Sequence, residues 1–141
     1  MRVIGFNFEK ISAERKKIPE GKIEIKSNIN VKSISQEKLE LLKDKDVLKF
    51  SFEFTIDYSP DMAKLSFEGF ALVILEKDKV KEILKKWKTK KLADDVRLPL
   101  FNLIMTKCNL KALQFEEELG LPTHVPMPKI APPQNNQGYV A

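Results

Sequence analysis

The chain has 141 residues, 43% apolar and 32% charged, with a formal net charge of +5. That is enough for one domain with a real core and too little for two. The longest strongly apolar run, Phe70 to Leu75, has strand length, so no segment reads as a membrane-spanning helix.

Four strands come first. Ile4, Phe6 and Phe8 alternate with Val3, Gly5 and Asn7 and predict the first. Ile23, Ile25, Ile29 and Val31 hold an odd register and predict a second, set off by the turn signal Pro19-Glu20-Gly21. Ser33 to Asp46 carries Leu39, Leu41 and Leu42 among charges and suits a short helix. The third strand, Val47 to Tyr58, is the most regular. Leu48, Phe50, Phe52, Phe54 and Ile56 share one face, and Lys49, Ser51, Glu53 and Thr55 share the other. After the turn Ser59-Pro60-Asp61, Lys64 to Leu75 forms the fourth. Its apolar residues change from odd (Leu65, Phe67) to even (Phe70, Leu72, Ile74) across Gly69, which predicts a β-bulge there. Phe70 to Leu75 is apolar on both faces and therefore expects cover on both, from the chain itself or from a partner subunit.

Two helices follow. Asp78 suits an N-cap, and Val80, Ile83, Leu84 and Trp87 make a buried stripe opposite Lys79, Lys81, Lys85, Lys86 and Lys88. After a polar break from Lys88 to Asp95, a long helix starts near Pro99 and ends at Gly120, with Pro122 just beyond. Its apolar residues cover far more than one stripe, which points to oligomerisation. Leu121 to Ile130 is held extended by its prolines and is expected to dock through Val125, Met127 and Ile130. Residues 131–141 read as a disordered tail behind a single α+β domain spanning 1–130.

Catalytic constellations are missing from this pattern. One histidine, His124, and one cysteine, Cys108, cannot make a metal site, and no phosphate-binding glycine motif occurs, so no cofactor and no enzyme activity are expected. His124 reads as an exposed or packed structural residue, and Cys108 as a small buried hydrophobe. Asp94-Asp95 reads as complementing a helix dipole, and Glu116-Glu117-Glu118 as the solvated flank of the long helix. A single cysteine and an N-terminus that enters a strand pattern directly predict the cytoplasm, without membrane insertion. The 25 basic residues are Lys apart from Arg2, Arg15 and Arg97, which disfavours nucleic-acid readout. The Lys77–Lys91 face reads as a solvated helix surface. What remains is more apolar surface than one small core needs, suited to an interface or a peptide groove.

The layout resembles the SecB family of protein-export chaperones. The resemblance rests on Ile4-Gly5-Phe6-Asn7-Phe8-Glu9-Lys10-Ile11-Ser12, on the apolar hairpin from Val47 to Leu75, on Leu98-Pro99-Leu100-Phe101-Asn102-Leu103-Ile104, and on Val125-Pro126-Met127-Pro128-Lys129-Ile130. It implies an α+β fold, with a four-stranded antiparallel sheet and a shorter and a long C-terminal helix packed on one face. It implies a homo-oligomer, dimer or tetramer, and an ATP-independent holdase that binds unfolded polypeptide in an apolar, aromatic-lined groove. On that footing Phe50, Phe52, Phe54, Phe67, Phe70 and Met127 are the expected peptide contacts. Ile4, Phe6, Phe8, Phe101, Ile104, Met105 and Cys108 are the expected oligomer contacts. Family members that hand cargo to the SecA motor are acidic, whereas this chain is basic, so docking to that motor is not implied. The competing readings are a non-catalytic adaptor whose apolar surface is used up in self-association, and a Lys-rich nucleic-acid-binding protein.

Overall fold

The period-two pattern of the third predicted strand organises the whole molecule. In a computed structural model describing residues 1–38 and 45–132, four antiparallel strands form one sheet in the order β1-β4-β3-β2. They are β1 (Arg2–Arg15), β2 (Glu24–Glu37), β3 (Lys45–Ser59) and β4 (Ala63–Glu76), followed by helices α1 (Lys77–Trp87) and α2 (Asp94–Leu119). β1 and β2 are consecutive in sequence yet occupy opposite edges. β3 and β4 fill the centre and supply the largest buried side chains. Phe50, Phe52, Phe54, Ile56 and Tyr58 of β3 lie beside Leu65, Phe67, Ala71 and Val73 of β4, and both helices cover this face.

The bulge predicted at Gly69 lies on the neighbouring strand. β4 keeps one odd register from Ala63 to Leu75, and its pairing with β3 is unbroken, so Phe70, Leu72 and Ile74 face away from the helices. β1 carries the irregularity instead. Phe8 pairs with Gly69 and Lys10 with Glu68, leaving Glu9 as the extra residue. The bulged backbone comes so close that a Cβ on Gly69 would collide with the Asn7 carbonyl oxygen and lie 3.0 Å from Phe8 Cα. The glycine marks a close approach rather than a kink in its own strand.

A bulge on β2 itself explains why this strand outruns its predicted end. Val31 pairs with Phe52 and Ser33 with Ser51, so Lys32 is extra and the inward register passes from odd Ile25, Ile29 and Val31 to even Ile34. Ser33 to Glu37 is therefore strand rather than the start of a helix. Leu39, Leu41 and Leu42 lie outside the described residues.

α1 follows β4 without a loop. Glu76 is its N-cap, and Asp78, expected to cap, stands in the first turn. α2 begins five residues before Pro99, at Asp94, with Asp94 and Asp95 in its first turn as expected for the dipole. Gly120, at φ +64°, ends it in the left-handed conformation, and the Arg15 guanidinium of β1 donates to the Leu119 carbonyl at 2.8 Å.

Val96, Leu100, Ile104, Cys108, Ala112 and Glu116 form the buried ridge of α2, each four residues from the last. A four-residue step advances about 40° around a helix of 3.6 residues per turn. The ridge therefore winds roughly half-way round α2. Much of the breadth that suggested a second apolar face comes from this winding. Leu98, Met105 and Leu110 still stand exposed, Leu110 at 64%.

Candidate functional site

The expected contact residues separate into two groups. Phe50, Phe52, Phe54 and Phe67 are core, each at most 2% exposed, so no ligand reaches them on the folded chain. Alternation along a strand identifies an apolar face without saying whether helices cover it, and here they do. Ile104 and Cys108 are likewise buried in their own chain on the α2 ridge, and burial pushes the Cys108 thiol up to about 12. Phe6 and Phe8 of β1 are half-buried against the same aromatic cluster, with Phe6 stacked on Phe52 at 5.2 Å and Phe8 edge-on to Phe67 at 5.9 Å. Phe70 is half-buried on the outer face of the sheet beneath the Lys49 ammonium, 4.5 Å from its ring centre. Ile4, Met105 and Met127 are exposed, and Phe101 is half-buried.

Phe101 belongs to a surface groove. Val31 of β2, Trp87 at the end of α1, Leu92 of the connection and Phe101 of α2 make its apolar floor, and the concavity measures about 510 Å³. The sequence pattern placed Trp87 in the buried stripe of α1. Val80 and Ile83 are indeed buried, but Leu84 and Trp87 are only half so, because the stripe runs off the edge of the sheet toward β2. The floor meets the edge strand β2, whose outward N–H and C=O groups have no strand partner among the described residues. An extended segment could bury apolar side chains in the groove and pair its backbone with that edge.

A polar network lies at the other end of α2, and the sequence pattern did not point to it. Glu116, expected to be solvated, is fully buried. Tyr58 donates its hydroxyl proton to Oε2 of Glu116, and Oε1 lies 2.9 Å from Nδ1 of His124. Nε2 of His124 lies 2.8 Å from Oδ1 of Asn109, and the imidazole is 2% exposed. Burial first, and then the Glu116 carboxylate, raise Tyr58 well above the ordinary phenol range. Among the described residues no buried side-chain polar atom lacks a partner. Both ring nitrogens are engaged by protein groups, so the cluster is a tether that fixes Leu121–Val125 to α2 and β3. Of the three residues expected to dock the tail, Val125 is half-buried whereas Met127 and Ile130 are exposed, and the main anchors are Leu121 and His124.

Two regularities foreshadow this network. The even register of β3 continues past Ile56 onto Tyr58, and the four-residue ridge of α2 continues past Ala112 onto Glu116. Each apolar series ends on a polar residue at the same end of the molecule.

Among the described residues no group of three His, Cys, Asp or Glu side chains could hold a metal ion, and no helix is long and apolar enough to cross a membrane.

A four-stranded antiparallel sheet backed by a short and a long helix is the fold of the SecB-like chaperones. A SecB-like chaperone of Mycobacterium tuberculosis, solved in complex with a ChAD peptide from the HigA1 antitoxin, matches the chain with a TM-score of 0.50. The match covers 94% of this chain and 92% of that one at 12% identity, so the likeness is one of fold. No protein-family model matches the chain, and no curated protein sequence matches it.

Proposed function

We propose that this protein is a non-catalytic chaperone of the cytoplasm that holds unfolded polypeptide segments in extended form without nucleotide. The observation that carries the reading is the juxtaposition of the Val31–Trp87–Leu92–Phe101 floor with the unpaired edge of β2. Apolar burial in the floor supplies affinity with little regard to sequence, and main-chain pairing supplies an extended geometry. The fold likeness to a chaperone solved with a bound peptide supports it. Phe101 is the one expected contact residue that lines this floor, and it serves as a client contact here rather than as an oligomer contact.

The working unit in this reading is a homo-oligomer. Leu98, Met105 and Leu110 project from α2 away from its buried ridge, and Ile4 and Ile11 stand exposed on the edge strand β1. A second copy covering these residues removes apolar surface and an open strand edge together.

The test is complex formation with a reduced and alkylated protein that cannot refold. Co-elution of that protein with the chain on gel filtration, in the absence of ATP, supports the reading. Separate elution, with the chain folded and oligomeric, transfers the apolar surface to self-association and favours an adaptor.

A further inference from the structure

The groove carries a charge pattern that its neighbours lack. Four concavities among the described residues can be compared. The first is lined by Glu76 and Asp95, the third by Glu20, and the fourth by Asp57 and Asp61. Among the described residues no carboxylate lines the groove of Trp87; its charged lining is Lys32, Lys90 and Arg97. The Lys32 ammonium is occupied by Glu68 at 3.0 Å, and Arg97 gives Nε and Nη2 to Asp94, which leaves its other terminal nitrogen. Lys90 has no carboxylate within 4.0 Å among the described residues, nor do Lys85, Lys88 and Lys91 around it.

The backbone at Lys90 points the same way. Its φ is +58°, in the left-handed region that favours glycine and strains a residue with a side chain. The Lys90 N–H closes a turn onto the Trp87 carbonyl at 2.8 Å, and its ammonium lies 4.7 Å above the Trp87 ring. A strained lysine therefore holds a free cation over the aromatic floor.

We infer that the groove prefers apolar segments flanked by carboxylates, with the apolar side chains on Val31, Trp87, Leu92 and Phe101 and the acidic flanks on Lys90 and Arg97. This inference rests on the peptide-binding reading above and adds the chemistry of the client. Polypeptide fits better than nucleic acid because most of the floor is aliphatic or phenyl, and the β2 edge offers a ladder that only a peptide backbone pairs along its length.

Trp87 is the only tryptophan of the chain, so its emission reports the groove directly. The experiment titrates the full-length protein with three labelled peptides that share a Leu-Phe-Leu-Val core and carry paired Glu, paired Gln or paired Lys at both ends. Anisotropy gives affinity and Trp87 emission gives location. The expected order is Glu over Gln over Lys, with about a tenfold step from Glu to Gln at low salt that flattens at high salt. Lys90→Gly, which relieves the left-handed backbone and so keeps the fold, should shrink the ratio between the Glu and Gln affinities. Lys90→Glu should reverse the order of the Glu and Lys peptides. Equal affinities, or tighter binding of the Lys peptide by the wild type, would overturn the preference while leaving peptide binding intact. No binding by any of the three removes the groove reading and the preference with it. An oligouridylate that binds with the same Trp87 response and the same dependence on Lys90 overturns the inference in favour of a general polyanion site.

Discussion

The carboxylate of Glu116 and the imidazole of His124 meet 2.9 Å apart in the interior of the protein, eight residues apart across the end of α2. The contact turns the chain back at Gly120, and Tyr58 of β3 and Asn109 of α2 complete it. Removing one partner leaves the others buried without a mate. Glu116→Ala should therefore lower stability by about 3–5 kcal/mol and His124→Ala by about 2–4 kcal/mol. Tyr58→Phe, which leaves one carboxylate oxygen unpartnered, should cost about 1–2 kcal/mol. Urea unfolding of the three variants and of the Glu116/His124 double variant measures this, and simple additivity in the double variant would contradict a direct pair.

Gly69 and Gly120 should respond differently to the same change. Gly69→Ala pushes a methyl into the Asn7 carbonyl and the Phe8 backbone, neither of which can move without giving up the β1–β4 pairing. It should cost more than about 3 kcal/mol and raise amide exchange along β1. Gly120→Ala meets only the flexible Arg15 guanidinium at 3.3 Å and should cost about 1–2 kcal/mol, from its positive φ. Equal effects would contradict the bulge geometry.

Alkali should unfold the protein earlier than its core suggests. Cys108 is held near 12 against an ordinary 9.0, and Tyr58 is raised above its ordinary 10.0. Both are neutral when protonated, and both keep their protons longer in the folded state. Between the unfolded and folded values the native state binds more protons, so stability falls as pH rises. The melting temperature should hold up to about pH 9 and then decline. A flat profile to pH 11 would contradict the burial of both groups. The same burial makes Cys108 inert to a thiol reagent at pH 8 until the chain unfolds.

The exposed face of α2 yields a separate expectation. Met105→Glu with Leu110→Glu places two charges where the proposed subunit contact lies, away from both the core ridge and the groove. The assembly mass from light scattering should drop while the far-ultraviolet spectrum keeps its shape. An unchanged mass removes α2 from the interface.

The strands and both helices were legible because each has a period of its own, and Phe50 to Ile56 left no doubt about a half-buried strand. What the periods could not convey is where two elements meet. The change of parity at Gly69 belongs to a bulge on β1, since a glycine records a neighbour's approach as readily as its own bend. The change from Val31 to Ile34 was hidden because one extra residue at Lys32 moves the inward side chains to the other parity. Pro99 misplaced the start of α2 because it stands inside the helix, six residues in, where it forgoes the one backbone bond its position would give to the Asp95 carbonyl. Glu116 looked solvated among three glutamates, and only a partner distant in sequence, Tyr58, and a tail residue, His124, make its burial tolerable. The groove was invisible for the same reason: Val31, Trp87, Leu92 and Phe101 come from four segments. Of the residues expected to touch ligand, the regular Phe series was the easiest to see and lies in the core, whereas Trp87, given to the core, lines the surface.

In the proposed function, unfolded polypeptide is held through the groove beside β2. The most direct test is light scattering by a client that aggregates when its disulfides are reduced, followed without ATP at increasing subunit ratios. Wild-type protein should suppress scattering and saturate at a fixed ratio, and Leu92→Asp, which places a carboxylate on the groove floor, should fold normally and protect far less. Equal protection by Leu92→Asp, or none by the folded wild type, would contradict the account.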